Sequence, residues 1–361
     1  MSLAPHLFVA LSGHGFGHLA QAAPVLDALR RRLPALRLTV QTSLSGEVLR
    51  ARIAGELTHV PEATDLGMIM ASALEAKTAE SRVAYREFHA DWERRLTRQT
   101  ILLKKYAPDL VFADIPYLPL AAAAQVGLPA VALCSLNWAD ILEAYWPGDV
   151  EVNSWCKIIL AAYNSAVVFL RPVPAMPMPA LHNTREIGPI AALGQDRRAE
   201  LNQRFGLPQE SVLVVITLGG IDTALPLVRW PVHPGIYWIV PQAWNLQRPD
   251  CLYREQMADI PFIDLLRSSD LLLTKPGYGA FVEAVCNGKP VLYVDRRDWP
   301  ETPYLVEWLR ANGSVLLLSQ EALLDGNLAA PVQTLLAQPR RPALPPEGIG
   351  MAADYLAQMC A

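Results

Sequence analysis

Ser269-Asp-Leu-Leu-Leu-Thr-Lys-Pro-Gly-Tyr-Gly-Ala-Phe-Val-Glu-Ala-Val-Cys-Asn-Gly-Lys-Pro290, followed by Val291-Leu-Tyr-Val294, is the stretch that decides the fold. Its apolar run at 271–274 is short and stops before Pro276, as a strand buried on both faces does. Two glycines then lead into a segment with helical spacing at 280–287, and a second apolar run follows at 291–294. Strand, glycine turn, helix and strand make the βαβ unit of a parallel sheet. The turn also has chemistry. Glycine lets backbone amides approach a ligand, and a helix N-terminus favours negative charge. Gly277 and Gly279, in the motif running from Lys275 through Tyr278 to Glu283, therefore mark a natural diphosphate site. Glu283 has two readings: a carboxylate favoured by the helix dipole, or a bidentate acceptor for two ribose hydroxyls.

The same alternation extends in both directions. Buried strands are expected at 7–11, 38–42, 110–113, 130–133 and 166–170, with amphipathic segments at 19–33 and along the charged stretch 75–106. Residues 171–179 hold four prolines in nine positions, which excludes helix interior and central strand and reads as an extended linker. Strands then recur at 212–217, 236–240, 271–274, 291–294 and 315–318, with helices at 261–268, 280–287 and 302–312. A second proline-rich stretch at 339–346 precedes a final amphipathic helix. The expectation is two doubly wound α/β domains, at 1–180 and 188–338, with residues 347–361 returning to the first.

Three further elements carry candidate chemistry. Gly13-His14-Gly15-Phe16-Gly17-His18 lies between the opening strand and its helix. It is not the dinucleotide fingerprint: His18 replaces the third glycine, and Thr42-Ser43 lacks the acidic residue that would hold a ribose. Each histidine alone is as readily structural as functional, but two at the mouth of a sheet favour a base working near neutral pH. Thr217-Leu-Gly-Gly220 is a simple turn by itself, and in a parallel sheet it would lie beside the 277–279 loop. Trp146, Trp155 and Met176 are candidates for an apolar acceptor path or a peripheral membrane contact, with core packing as the alternative.

Composition removes several classes of function. Lys plus Arg number 31 against 35 Asp plus Glu, a net charge of −4 without a basic run, so nucleic acid is a poor partner. The five cysteines are scattered without metal-ligand spacing and read as reduced residues of a cytoplasmic protein. No Asp-x-Asp pair offers a metal site, and no cofactor is called for. The N-terminus shows no signal-peptide pattern, and no apolar run reaches the roughly 18–20 residues that span a bilayer.

The 269–290 block resembles the donor-site signature of GT-B glycosyltransferases, particularly the lipid-linked N-acetylglucosaminyltransferase and UDP-glycosyltransferase groups. A further likeness is to the GT-B-like N-terminal region of plant L-arabinokinases, through residues 13–18, 177–180, 275–283, 296–298 and 301–304. No glycine-rich kinase motif follows residue 320, so kinase activity is not carried over. The resemblance implies two facing Rossmann-like domains with a central cleft, and metal-independent transfer from a nucleoside diphosphate sugar, UDP by preference, to a small-molecule or lipid-linked hydroxyl acceptor. It implies His18 as base, with His14, Gly15 and Gly17 on the acceptor side. Gly219, Gly220, Gly277 and Gly279 would approach the diphosphate, Glu283 would hold the ribose, and the loop ending at Phe262 would read the base. The family's late acidic-Gln or Gln-Gln pair for donor-sugar hydroxyls is replaced by Glu301-Thr302, with Arg297 and Asp298 close by. The other uses of such a fold are a nucleotide-sugar sensor, or a 2-epimerase that would need several carboxylates around the sugar.

Overall fold

Parallel pairing dominates the computed structural model, which describes residues 4–219, 225–244, 247–296 and 298–360. The first sheet contains β1 (His6–Leu11), β2 (Arg37–Gln41), β3 (Thr58–Val60), β4 (Leu110–Asp114), β5 (Ala130–Leu133), β6 (Val168–Pro172) and β7 (Thr184–Ile187). Its spatial order is β3-β2-β1-β4-β5-β6-β7. The second contains β8 (Val212–Thr217), β9 (Ile236–Val240), β10 (Cys251–Tyr253), β11 (Leu271–Thr274), β12 (Val291–Val294) and β13 (Val315–Leu318), in the order β10-β9-β8-β11-β12-β13. Both orders reverse direction once, between β1 and β4 and between β8 and β11. That reversal opens a crevice at the carboxyl ends of the strands.

Crossovers between parallel strands need long connections, and helices supply them. In the first half these are α1 (Gly17–Arg32), α2 (Gly46–Arg50), α3 (Thr78–Ala90), α4 (Trp92–Tyr106), α5 (Leu118–Gln125), α6 (Trp138–Tyr145) and α7 (Val150–Ser165). The second half has α8 (Arg198–Phe205), α9 (Phe262–Ser268), α10 (Tyr278–Cys286), α11 (Thr302–Asn312), α12 (Gln320–Asp325) and α13 (Ala329–Leu336), and the chain closes with α14 (Glu347–Cys360). None is long and apolar enough to cross a membrane among the described residues.

The chain divides into one compact unit of Met1–Ala71, Ala76–Ile190 and Pro346–Ala361, and another of Ser72–Glu75 and Ala191–Pro345. Several features depart from the sequence expectation, beginning with the short strands β3 and β10, which no expected strand covers. The stretch after the proline-rich 171–179 segment carries a seventh strand, β7, whose edge position leaves three of its four residues exposed and so erases the apolar signal. The charged 75–106 segment breaks into two helices at Asp91, whose carboxylate binds Arg94 and Arg95 on the following turn. Ala73 belongs to the core of the second unit, with Leu74 packed against it. Trp155 and Met176 are buried, and Trp146 is half-buried, so the core reading applies to the first two.

Helix α14 packs on α1 and β7. Gly348 makes that approach possible: its N–H donates to the Pro189 carbonyl at 3.0 Å, and a Cβ there would lie 2.0 Å from the Gly188 oxygen. Gly350, two residues on, would meet nothing nearer than an Arg32 nitrogen at 3.8 Å. We therefore expect Gly348→Ala to cost about 1–3 kcal/mol of overpacking in urea denaturation. Gly350→Ala should be neutral, or stabilising by up to about 1 kcal/mol from helix propensity. Equal effects would show that α14 is not held by this close contact.

Candidate active site

Parallel register brings the ends of β1 and β4 together, with Leu11 opposite Asp114. The chain leaves β1 through the glycine turn and enters α1, whose second residue is His18. His18 Nδ1 lies 2.9 Å from Asp114 Oδ1, with His18 buried and Asp114 fully so. With the proton on Nδ1, donated to the carboxylate, the imidazole carries its lone pair on Nε2. Burial pushes the Asp114 carboxyl above the usual carboxylate range, and the His18 hydrogen bond opposes that shift. Cys134, just past β5, brings its Sγ to 3.7 Å from His18 Nδ1.

A second buried carboxylate stands behind this pair. Asp65 Oδ2 accepts the Trp138 indole N–H at 3.0 Å, and the Trp138 ring lies against both His18 and His14. Burial raises the Asp65 carboxyl too, against the hydrogen bonds of Ser12 and Trp138 and the attraction of His18. His14 rests on Gly67, where a Cβ would come within 2.5 Å of Nδ1; with φ +62°, that position is a glycine one on both counts. Gly15 and Gly17 face open space.

The second unit repeats the geometry with opposite charge. Thr217 of β8 pairs with Thr274 of β11, so the two following turns adjoin. Between them sits the partly buried Lys275. A Cβ on Gly219 would lie 3.7 Å from its Nζ, and one on Gly277 would lie 3.4 Å away. Burial and the neighbouring Arg296 push the Lys275 amine down to about 8, with Glu301 opposing. Arg296 is itself buried, its guanidinium 4.2 Å above the Trp299 ring and its Nε 3.8 Å from Asp298. The Trp299 indole donates to Glu301 at 3.1 Å.

Tyr278 opens α10 and is buried, Gly279 follows it, and Glu283 is buried farther along the same helix. Glu283 lies beyond the first turn, where the helix dipole no longer accounts for a carboxylate. Phe262 heads α9, half-buried beneath the Arg254 guanidinium, and no described contact joins it to the Lys275 cluster. Gly220 and Arg297 lie outside the described residues.

Asp114, Asp65, Cys134 and Trp138 belong to no motif. The one sequence signal for Asp114 is an acidic residue ending a buried strand that the topology sets beside β1.

No known family profile matches the chain. The calicheamicin glycosyltransferase CalG4 is similar over 98% of both chains, with a TM-score of 0.64 and 18% identity. The chain has the GT-B fold. A UDP-N-acetylglucosamine 2-epimerase has the same GT-B arrangement over 98% of this chain and 95% of its own, with a TM-score of 0.56 and 16% identity. The L-arabinokinase of Arabidopsis thaliana is 24% identical over 306 residues, 83% of this chain. The chain spans only 29% of that protein's length.

The Trp138–Asp65 bond makes a direct test of how the first site is held. Trp138→Phe keeps the ring packing and leaves Asp65 Oδ2 without its indole donor. It should cost about 1–3 kcal/mol in urea denaturation, the penalty of an unsatisfied buried group. A change within about 0.5 kcal/mol, the range of an ordinary surface substitution, would show that this bond holds nothing.

Proposed function

We propose that the protein transfers a glycosyl group from a nucleoside diphosphate sugar, with uridine diphosphate the preferred carrier, to a hydroxyl acceptor. The observation that carries this reading is the presence of two complementary sites, one in each unit of a GT-B fold. One is a buried His18–Asp114 couple suited to take a proton; the other is a Lys275 ammonium held between two glycine turns, suited to take a diphosphate.

In this reaction His18 Nε2 accepts the acceptor's hydroxyl proton as the oxygen bonds to the anomeric carbon. The bond from that carbon to the diphosphate oxygen breaks, and the nucleoside diphosphate leaves. Asp114 orients the imidazole and stabilises the imidazolium that forms. His14, Gly15 and Gly17 flank the acceptor. Lys275, Tyr278 and the amides of Gly219, Gly277 and Gly279 neutralise the leaving group, with Gly220 assigned the same role from its place in the motif. Glu283 binds the ribose hydroxyls and Phe262 stacks on the base. Asp298 and Glu301 bind donor-sugar hydroxyls, with Arg297 assigned beside them, while Arg296 and Trp299 hold these carboxylates in place. The scheme calls for no metal and no cofactor, and the proposed setting is cytoplasmic.

The likeness to an L-arabinokinase segment supports a second reading, a nucleotide-sugar-binding module without turnover. Incubating the protein with UDP-sugars separates the two: release of UDP over time supports the transferase. A thermal shift with UDP but no release, across a broad panel of hydroxyl acceptors, would leave the binding module.

His18→Ala should lower turnover by about 10²- to 10⁴-fold, the usual contribution of a general base, while leaving the dissociation constant for UDP within experimental error. Wild-type turnover in that variant would remove His18 from the chemistry.

The depressed Lys275 amine gives donor binding a pH dependence. Free Lys275 loses its proton as pH rises through about 8. The bound diphosphate favours the ammonium, so binding above that pH must take up a proton. UDP affinity should therefore be flat below pH 8 and fall by up to about tenfold per pH unit above it. Lys275→Met should bind more weakly, with no such slope. An unchanged slope in Lys275→Met, measured by calorimetry, would assign the titration to another group.

A further inference from the structure

His18, Asp114 and Cys134 each present one ligating atom, and these atoms all lie within 4.8 Å of one another. An imidazole, a carboxylate and a thiol are the three ligand types that zinc takes, and three protein ligands with a fourth position for water is a common zinc arrangement. Sequence spacing conceals the group, because its members come from the head of α1, the end of β4 and the residue after β5. Parallel pairing of β1 with β4 and of β4 with β5 brings them together.

The distances suit the metal. Ligand bonds of about 2.0–2.3 Å arranged tetrahedrally put nitrogen and sulfur about 3.6 Å apart, and nitrogen and oxygen about 3.3 Å apart. The observed separations are 3.7 Å for Nδ1 to Sγ and 2.9 Å for Nδ1 to Oδ1. Of these two, the second must lengthen, as the bridging proton departs, and the Asp114 oxygen and Cys134 sulfur lie within 4.8 Å of each other. Asp114 Oδ2 is a second sign: it is buried and has no hydrogen-bond partner meeting normal geometry among the described residues, while the Cys134 thiol approaches the same carboxyl. A dication bound by one carboxylate, one thiolate and a neutral imidazole is also charge-balanced, as a buried site requires.

We propose that His18, Asp114 and Cys134 form a zinc-binding site whose occupancy switches off the base. Zinc bonds to His18 Nδ1, Asp114 and the Cys134 sulfur. The thiol proton leaves to solvent, and the imidazole proton moves from Nδ1 to Nε2. Nε2 then carries a proton in place of its lone pair and accepts none from an acceptor hydroxyl. The inhibitory half of this proposal rests on the assignment of His18 as base; the ligation does not.

The test uses the whole protein, reduced and freed of metal, titrated with cobalt(II) and then zinc. One equivalent of cobalt should produce a thiolate-to-cobalt charge-transfer band that zinc abolishes. Cys134→Ala should lack the band and bind zinc more weakly by more than the roughly 10- to 100-fold lost with an outer partner of a metal ligand. UDP-sugar hydrolysis by wild type should fall in proportion to bound zinc and return on chelation. Cys134→Ser, closer in volume, replaces Cys134→Ala if the latter fails to fold. Absence of the band in wild type, or its survival in the variant, overturns the site. Zinc bound through Cys134 without loss of turnover, where His18→Ala is inactive, overturns the switch. Normal turnover in His18→Ala overturns the base assignment and the switch together, and the cobalt band still decides the ligation.

Discussion

Everything in this molecule that can do chemistry depends on strand order. In a parallel sheet, every strand delivers its carboxyl end to the same edge, and right-handed crossovers force the helices to begin there. Where the order reverses, two adjacent loops diverge to opposite faces and leave their backbone amides and first helical residues unobstructed. The β1/β4 reversal sets His18 against Asp114; the β8/β11 reversal sets Lys275 between the Gly219 and Gly277 turns. Neither pair is local in sequence. Their proximity is a property of two hydrogen-bonded ladders, Leu11 with Asp114 and Thr217 with Thr274.

Those ladders are buried, so the charges they deliver are buried too. An unpaired carboxylate in such surroundings is strongly disfavoured, and burial is the leading influence on both Asp114 and Asp65. Each is met by named donors: the His18 ring for the first, the Trp138 indole for the second. Buried ionic pairs of this kind often stabilise a fold no more than apolar replacements, since desolvation commonly exceeds the Coulombic gain inside a protein. The arrangement's place beside a crevice suits it to chemistry. The same reasoning applies to Arg296, laid over Trp299 in the second unit, where one aromatic face compensates a buried guanidinium.

Apolar strands and glycine turns were legible in the sequence because each is a local pattern. Residues 212–217 and 291–294 announce themselves by continuous burial, and Gly277 by its place between strand and helix. Strands β3, β7 and β10 were missed, and β7 shows why. At an edge, Thr184, Arg185 and Glu186 face solvent, so backbone pairing with β6 leaves no hydrophobic signature. Asp91 shows another limit: the break between α3 and α4 falls inside a charged run that looks, in composition, like continuous helix, and the Asp91 pairs with Arg94 and Arg95 are at helical spacing. Within the candidate site, His18 was legible as one of two histidines in a glycine turn. Asp114 was not, since its significance arises only when β4 is known to lie beside β1. Cys134 depends on a further neighbour, β5, and was the least visible.

The two reversal points share a backbone plan and differ in the sign of what they bury, and that difference divides the labour. Around His18 the fixed groups are carboxyls, Asp114 and Asp65, and the Asp114 contact fixes which ring nitrogen faces away from the core. Around Gly219 and Gly277 the fixed groups are cations, Lys275 and Arg296, which disfavour one another until an anion arrives. Glu301 offsets that repulsion only in part, being tied to the Trp299 indole. A site of mutually repelling cations gains most from a ligand carrying adjacent negative charges, and it gains most when that charge is greatest. In the proposed transfer, a leaving diphosphate carries more charge than the diester linkage it leaves, so the repulsion relieved in the second unit would grow along the reaction coordinate. Interactions that strengthen in this direction are the ones that accelerate a reaction. An imidazole oriented by a buried carboxylate and an anion site of crowded cations are what the proposed glycosyl transfer asks of the two units.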